Sequence, residues 1–241
     1  MFRTRYTYEK MKIGLTMKKY TLLFGGTNMG DSLKYEIMNK VAYVSIDLVP
    51  YSPLNKELYK ELAFVMLEID RNDEVNVAVI SIGNDKIFDS KEKIKRIINF
   101  NEHKSINKNI NPSQISNYTY GIIKNMTKPV LGAINGLAIG GVFELALACD
   151  LLICSDRAKF AFPEVNLAIL PSGGGTWRLQ QIVGQSKAKE LLYFGTMIDA
   201  QKALEIRLVN SVVPYEELRE TIRELAEKLA EKQGRWANCP N

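Results

Sequence analysis

KPVLGAINGLAIGGVFELALACDLLICSDRAKFAFPEVNLAILPSGGGTWRL, residues 128–179, decides how this chain is read. Pro129 to Ile134 form a short apolar run entering Asn135-Gly136, which predicts a strand and a turn. Gly140-Gly141 open a helix running to Cys149, and DLLICS (150–155) returns as a strand. Inside that helix Glu144 is the one ionisable side chain among Gly, Val, Phe, Leu, Ala and Cys. An unpaired buried carboxylate is costly unless it is hydrogen-bonded, protonated or facing a site. A second carboxylate, Glu164, follows Pro163 and is again flanked by apolar residues. Two carboxylates in apolar settings, each beside glycine-rich turns, indicate acid/base chemistry on a bound small molecule.

Working outward, LKYEIM (33–38), Asn39-Lys40 and VAYVSIDL (41–48) predict a β-hairpin. Residues 54–69 predict a helix whose apolar face is Leu54, Leu58, Leu62, Val65, Met66 and Ile69. NVAVISI (76–82) is a strand. The Asn/Lys-rich stretch 85–114 resists assignment; a solvated loop with a helix around 91–100 fits it, and a lid or an insertion stays open. Ile115, Tyr118, Ile122, Ile123 and Met126 repeat helically. Further helices are expected at 176–183, at 186–194 (Ser186 cap, Gly195 stop), at 199–206 (Asp199 cap) and at 215–232, the last with Leu218, Ile222, Leu225 and Leu229 on one face. Strands alternating with helices argue an α/β layered fold with ligand sites at strand ends.

The 241 residues suffice for one large domain with a substantial core. A net charge of +5 does not indicate a nucleic-acid binder, and an acidic carrier such as coenzyme A suits it equally well. The three cysteines have no CxxC spacing, and Cys149 and Cys154 lie in apolar runs, so reduced buried thiols are expected. The single histidine, His103, sits in a polar stretch, which argues against a histidine triad or a metal site. No apolar run reaches bilayer length, and a cytoplasmic protein is expected. Residues 1–31 read as a basic N-terminal extension, with six Lys/Arg in the first twenty residues and no continuous hydrophobic core. A disordered extension and an organellar transit peptide are its two readings.

The ordered series of strand, GG-helix, DLxIxS strand, FPE turn and PxxGGT turn resembles the signature region of the enoyl-CoA hydratase/isomerase, or crotonase, superfamily. FGTMIDAQKALEIRLVNSVVP (194–214) resembles the helix–turn–strand that follows it. The likeness runs from about residue 33 to 232 and is most specific from 128 to 180. It implies a crotonase-like spiral of β-β-α turns with C-terminal helices, the C-terminal part shortened, over a domain of residues 32–232 with a short tail at 233–241. It also implies homotrimers or hexamers, an acyl-CoA substrate, and no cofactor beyond the coenzyme A that the substrate carries.

The resemblance assigns the site residue by residue. Glu144 and Glu164 match the two glutamates of the hydratase branch, which add water across the 2,3 double bond of an enoyl-CoA thioester. Glu144 would hold and deprotonate the water, and Glu164 would exchange the proton at the α-carbon. The competing structural readings are a core salt bridge for Glu144 and a turn carboxylate accepting backbone hydrogen bonds for Glu164. The thioester oxyanion would meet the backbone N–H groups of Gly141, at a helix start, and of Glu92. Around the latter the family usually carries glycine and aspartate, where this chain has Lys91, Glu92 and Lys93. Gly140, Pro171, Gly173 and Gly174 fall at substrate-contact positions, the glycine turn 173–175 bringing backbone close to substrate or to Glu164. Lys86 and Lys95 match lysines near the coenzyme A phosphates. Arg207 stands where the family commonly has glycine. The alternatives are an isomerase working through Glu164 and a non-catalytic crotonase-fold binding protein.

Overall fold

A computed structural model describes residues 33–46, 56–82 and 112–232. Its first element is the expected hairpin: β1 (Leu33–Met38) pairs antiparallel with β2 (Val41–Ile46), Met38 opposite Val41. Asn39 and Lys40 both adopt positive φ, 50° and 64°, the geometry of a two-residue turn whose twist matches that of the strands. Helix α1 (Lys56–Arg71) buries Leu58, Leu62, Val65, Met66 and Ile69 as predicted, together with Tyr59 and Ala63. Leu54 lies outside the described residues. Strand β3 (Val77–Ile82) follows, parallel to β2.

Helix α2 (Pro112–Lys124) corrects one expectation. Tyr118 is 52% exposed, and the buried face is instead Ser116, Thr119, Tyr120, Ile122 and Ile123. Hydropathy points the wrong way because the α1–α2 contact buries two hydroxyl residues. Thr119 is satisfied there: its Oγ1 lies 3.0 Å from both the Tyr59 and the Ile115 carbonyl oxygens.

From Val130 to Ala161 consecutive strands alternate between two sheets. Strand β4 (Val130–Ile134) continues the large sheet and β5 (Leu137–Ile139) starts a small one. After the short helix α3 (Gly141–Ala146), β6 (Leu151–Ser155) returns to the large sheet and β7 (Lys159–Ala161) to the small one. A 3₁₀ turn (Pro163–Leu167) leads to α4 (Gly175–Val183) and α5 (Gln185–Phe194). Strand β8 (Ile198–Asp199), α6 (Ala200–Glu205), β9 (Ser211–Val213), a second 3₁₀ turn (Tyr215–Glu217) and α7 (Leu218–Ala230) complete the order. The large sheet runs β1-β2-β3-β4-β6-β9, parallel except at β1, and the small one β5-β7-β8. This is the expected spiral of β-β-α turns. Strand β9 closes the expected helix–turn–strand of 194–214, whereas β5, β7 and β8, of three residues or fewer, are not predicted, since so few residues establish no period.

Several helix boundaries differ from expectation: α1 runs on to Arg71, and 215–217 form the 3₁₀ turn before α7. Helix α3 ends at Ala146, and the chain continues to Cys149 in a tighter turn, with Ala148 N–H to Leu145 O and Cys149 N–H to Ala146 O at 3.0 Å each. Helix α5 starts at Gln185 after Gly184, so Ser186 lies inside it and is not the cap. Asp199 does cap α6, accepting from the Lys202 N–H at 2.8 Å.

The large sheet is covered on both faces. One carries Ala42, Val44, Ile80 and Ile134 toward α1 and α2; the other packs Val41, Val79, Leu131 and Ile153 against Leu218, Ile222, Ala226 and Ala230 of α7. Burial on both sides explains why VAVISI and VLGAI are almost unbroken apolar runs. Cys149 and Cys154 are buried free thiols. Among the described residues no helix is long and apolar enough to cross a membrane.

Candidate active site

The sheet alternation places the two glutamates together. Glu144 projects from α3 and is 4% exposed; Glu164 stands on the 3₁₀ turn that follows β7. Their sequence neighbours join the two segments: the Phe143 and Phe162 rings stack with centroids 4.5 Å apart, and Phe160 packs on Phe143 at 5.5 Å. Three buried aromatic rings exclude water from the base of the site.

Glu144 is tightly held. Its Oε1 accepts hydrogen bonds from the backbone N–H of Gly173 at 2.7 Å and of Gly175 at 2.8 Å. The glycine turn therefore serves Glu144, not Glu164 as one expectation had it. Gly173 is required by close approach: a Cβ there would lie 2.6 Å from Glu144 Oε2 and 2.6 Å from the Tyr120 ring. Beneath the turn, buried Arg178 donates from Nη1 to the Gly173 carbonyl at 2.6 Å. Desolvation holds the Glu144 carboxyl above its ordinary value, and the two N–H donors and the Arg178 charge oppose that rise without reversing it.

Glu164 is held loosely by comparison. Among the described residues its buried Oε2 has no hydrogen-bond partner. Its Oε1 lies over Gly140, where a Cβ would come within 2.7 Å and where φ is +57°. Glycine at 140 thus answers both a close approach and a left-handed backbone. Burial, reinforced by the nearby Glu144 charge, pushes the Glu164 carboxyl up to about 7. Gly141 follows directly as the first residue of α3, so the free N–H end of that helix adjoins the Glu164 carboxylate.

Three supporting residues escaped the sequence reading. Tyr120, fully buried, donates from its hydroxyl to the Gly141 carbonyl at 2.6 Å and lies 2.9 Å from the Tyr59 hydroxyl. Arg178 lies just after the glycine turn, between Trp177 and Leu179, where neighbouring Thr176, Gln180 and Gln181 make a cation unremarkable in the sequence. For the tyrosines no signal exists, because each reads as ordinary core. Of the other expected contacts, Pro171 is buried beside the turn, and Gly174 has φ 96° with Arg178 Nη1 packed against it. Lys86, Glu92 and Lys95 lie outside the described residues, as do the extension 1–31 and the tail 233–241. A cleft of about 1190 Å³ runs between the hairpin and α7, and neither Glu144 nor Glu164 borders it. Carboxylate geometry, not cavity size, locates the site. No cluster of three or more metal-ligating side chains occurs among the described residues.

The sequence profile of the enoyl-CoA hydratase/isomerase family matches residues 36–238. This chain belongs to that family. It is 36% identical over 191 residues to the short-chain-enoyl-CoA hydratase of Clostridium acetobutylicum, covering 79% of this chain and 72% of the relative. To the carnitinyl-CoA dehydratase of Citrobacter koseri it is 33% identical over 201 residues, 83% of this chain and 75% of that protein. The crystal structure of an enoyl-CoA hydratase from Bacillus anthracis matches with a TM-score of 0.69 at 28% identity, over 84% of this chain and 78% of that one. The architecture of this family member is accordingly the crotonase fold, and the expected resemblance holds.

Proposed function

We propose that this family member is an enoyl-CoA hydratase, adding water across the 2,3 double bond of an enoyl-CoA thioester. One observation carries the reading: two neighbouring carboxylates are held in opposite ways. Glu144, fixed through Oε1 by two N–H donors, orients the water and takes its proton as oxygen bonds to the β-carbon. Glu164, with an unpartnered Oε2 and a raised proton affinity, delivers a proton to the α-carbon. The negative charge that develops on the thioester oxygen is met by the Gly141 N–H and by the backbone N–H of Glu92. Gly140 lets the thioester approach α3 closely, and Pro171, Gly173 and Gly174 serve the substrate through the position they give Glu144. Lys86 and Lys95 are assigned to the coenzyme A phosphates by the family resemblance alone. The reaction uses no cofactor beyond the coenzyme A of the substrate. Similarity to a hydratase and a dehydratase, which carry out this reaction in opposite directions, supports it.

The test is loss of the ultraviolet absorbance of crotonyl-CoA on mixing with the protein. Turnover is expected to fall about 10²- to 10⁴-fold in both Glu144→Gln and Glu164→Gln. Double-bond migration without loss of conjugation to water, surviving in Glu144→Gln alone, would replace the hydratase reading by the isomerase one. We also propose a homotrimer or hexamer, supported by exposed Leu170, Trp177, Tyr193 and Phe194 on consecutive segments. Sedimentation equilibrium at micromolar concentration checks it; a monomer overturns it.

A further inference from the structure

Tyr120 lies at the junction of both halves of the site without lining it. Its hydroxyl donates to the Gly141 carbonyl at 2.6 Å, in the first turn of α3. A phenol has one proton, so that bond leaves Tyr120 only as an acceptor toward Tyr59, whose hydroxyl is 2.9 Å away. The direction of the chain is thereby set: Tyr59 donates to Tyr120, and Tyr120 donates to Gly141. The two rings meet edge to face at 5.6 Å and 77°. Burial pushes both phenols up, so both keep their protons throughout the working pH range. The other side of the Tyr120 ring packs on Gly173 so closely that a Cβ there would lie 2.6 Å from its Cε2. The Arg178 guanidinium stands 5.8 Å from the ring centroid and donates to the Gly173 carbonyl.

One side chain therefore touches the helix turn that carries Gly141 and Glu144 and the glycine turn whose N–H groups hold Glu144. We propose that Tyr120, oriented by Tyr59, is a positioning residue that keeps the first turn of α3 and the Gly173 turn in one fixed relation, so that the Gly141 N–H and the Glu144 carboxylate address the same bound thioester. The inference rests on the hydratase reading for its substrate. Tyr120 does not touch substrate; it acts through the two turns.

The experiment compares wild type, Tyr120→Phe, Tyr59→Phe and the double variant. Each is measured for kcat and KM with crotonyl-CoA, for thermal midpoint, and for the ultraviolet band of enolised acetoacetyl-CoA bound to the protein. That band reports oxyanion stabilisation without turnover. Tyr120→Phe keeps the ring and removes one hydrogen bond. A fall of about tenfold in kcat is expected with KM changed less than about twofold, together with a weakened enolate band. Tyr59→Phe is expected to lose about threefold. The double variant should be no worse than Tyr120→Phe, because Tyr59 acts only through Tyr120. Unchanged kcat and enolate band in Tyr120→Phe, with only the thermal midpoint lowered, would overturn the proposal, and so would multiplicative losses in the double variant. Should Tyr120→Phe not fold, Tyr59→Phe decides on the same two readouts. If wild type enolises acetoacetyl-CoA but does not hydrate crotonyl-CoA, the hydratase reading fails by itself, and the enolate band still judges Tyr120.

Discussion

Glu144 and Glu164 stand in similarly apolar surroundings, yet the fold treats them as different kinds of group. Around Glu144 it supplies two backbone N–H donors and a buried cation, so the negative charge is compensated where it sits. Around Glu164 burial, a glycine backbone and the neighbouring negative charge outweigh its own backbone N–H, so the proton is favoured. Desolvation alone would raise both carboxyls alike; the local donors separate them. A pair built this way can move one proton in and another out in a single reaction.

The largest test of that difference is stability. Glu144→Leu leaves two buried N–H groups without their acceptor and Arg178 without a nearby counter-charge, and should destabilise by roughly 3–5 kcal/mol. Glu164→Leu removes a poorly compensated carboxylate and should change stability by less than about 1 kcal/mol. Urea unfolding of the two variants measures the contrast; equal losses would break it. Next in size is Gly173→Ala, whose Cβ would strike Glu144 Oε2 and the Tyr120 ring. A cost of about 1–3 kcal/mol is expected from the overpacking, with a fall in kcat that Ser172→Ala, at an exposed neighbour, does not show.

The pH dependence sharpens the Glu164 side. Its carboxyl is raised from 4.5 to about 7 in the folded protein, so between those values the native state binds more protons than the unfolded one. Its contribution to stability is therefore present at low pH and is lost as pH rises from about 4.5 through about 7. Glu164→Gln, compared with wild type by thermal melting across that range, should become relatively more stable as pH increases. For hydration, kcat/KM should fall as pH rises through about 7, because the protonated form is the one that serves the α-carbon. A flat profile across that range would remove the assigned difference between the carboxyls.

The smallest effect is a control away from both. Arg207 has φ 61°, a left-handed conformation at the position where the family commonly has glycine. Arg207→Gly should stabilise by about 0.5–1 kcal/mol in the same urea titration and leave kcat unchanged.

Much of this was legible beforehand because local rules sufficed. The hairpin at Asn39-Lys40, the Asp199 cap, the α1 face and the strands around 130 and 151 each follow from a few adjacent residues. The buried face of α2 was misread because Thr119 satisfies its hydroxyl within the helix contact, which hydropathy does not register. Residue types in apolar surroundings were enough to single out Glu144 and Glu164. What each carboxylate is bonded to was not: the partners of Glu144 lie 29 and 31 residues away, and the hydroxyls of Tyr59 and Tyr120, separated by 61 positions, meet only when α1 packs on α2. Composition and period thus determined where the longer strands and helices fall and which carboxylates stand among apolar residues. Only the tertiary structure decided which of the two receives distant N–H donors and a cation and which does not, because hydrogen bonds and charges act over a few ångströms of space and the chain distances between those partners run to tens of residues.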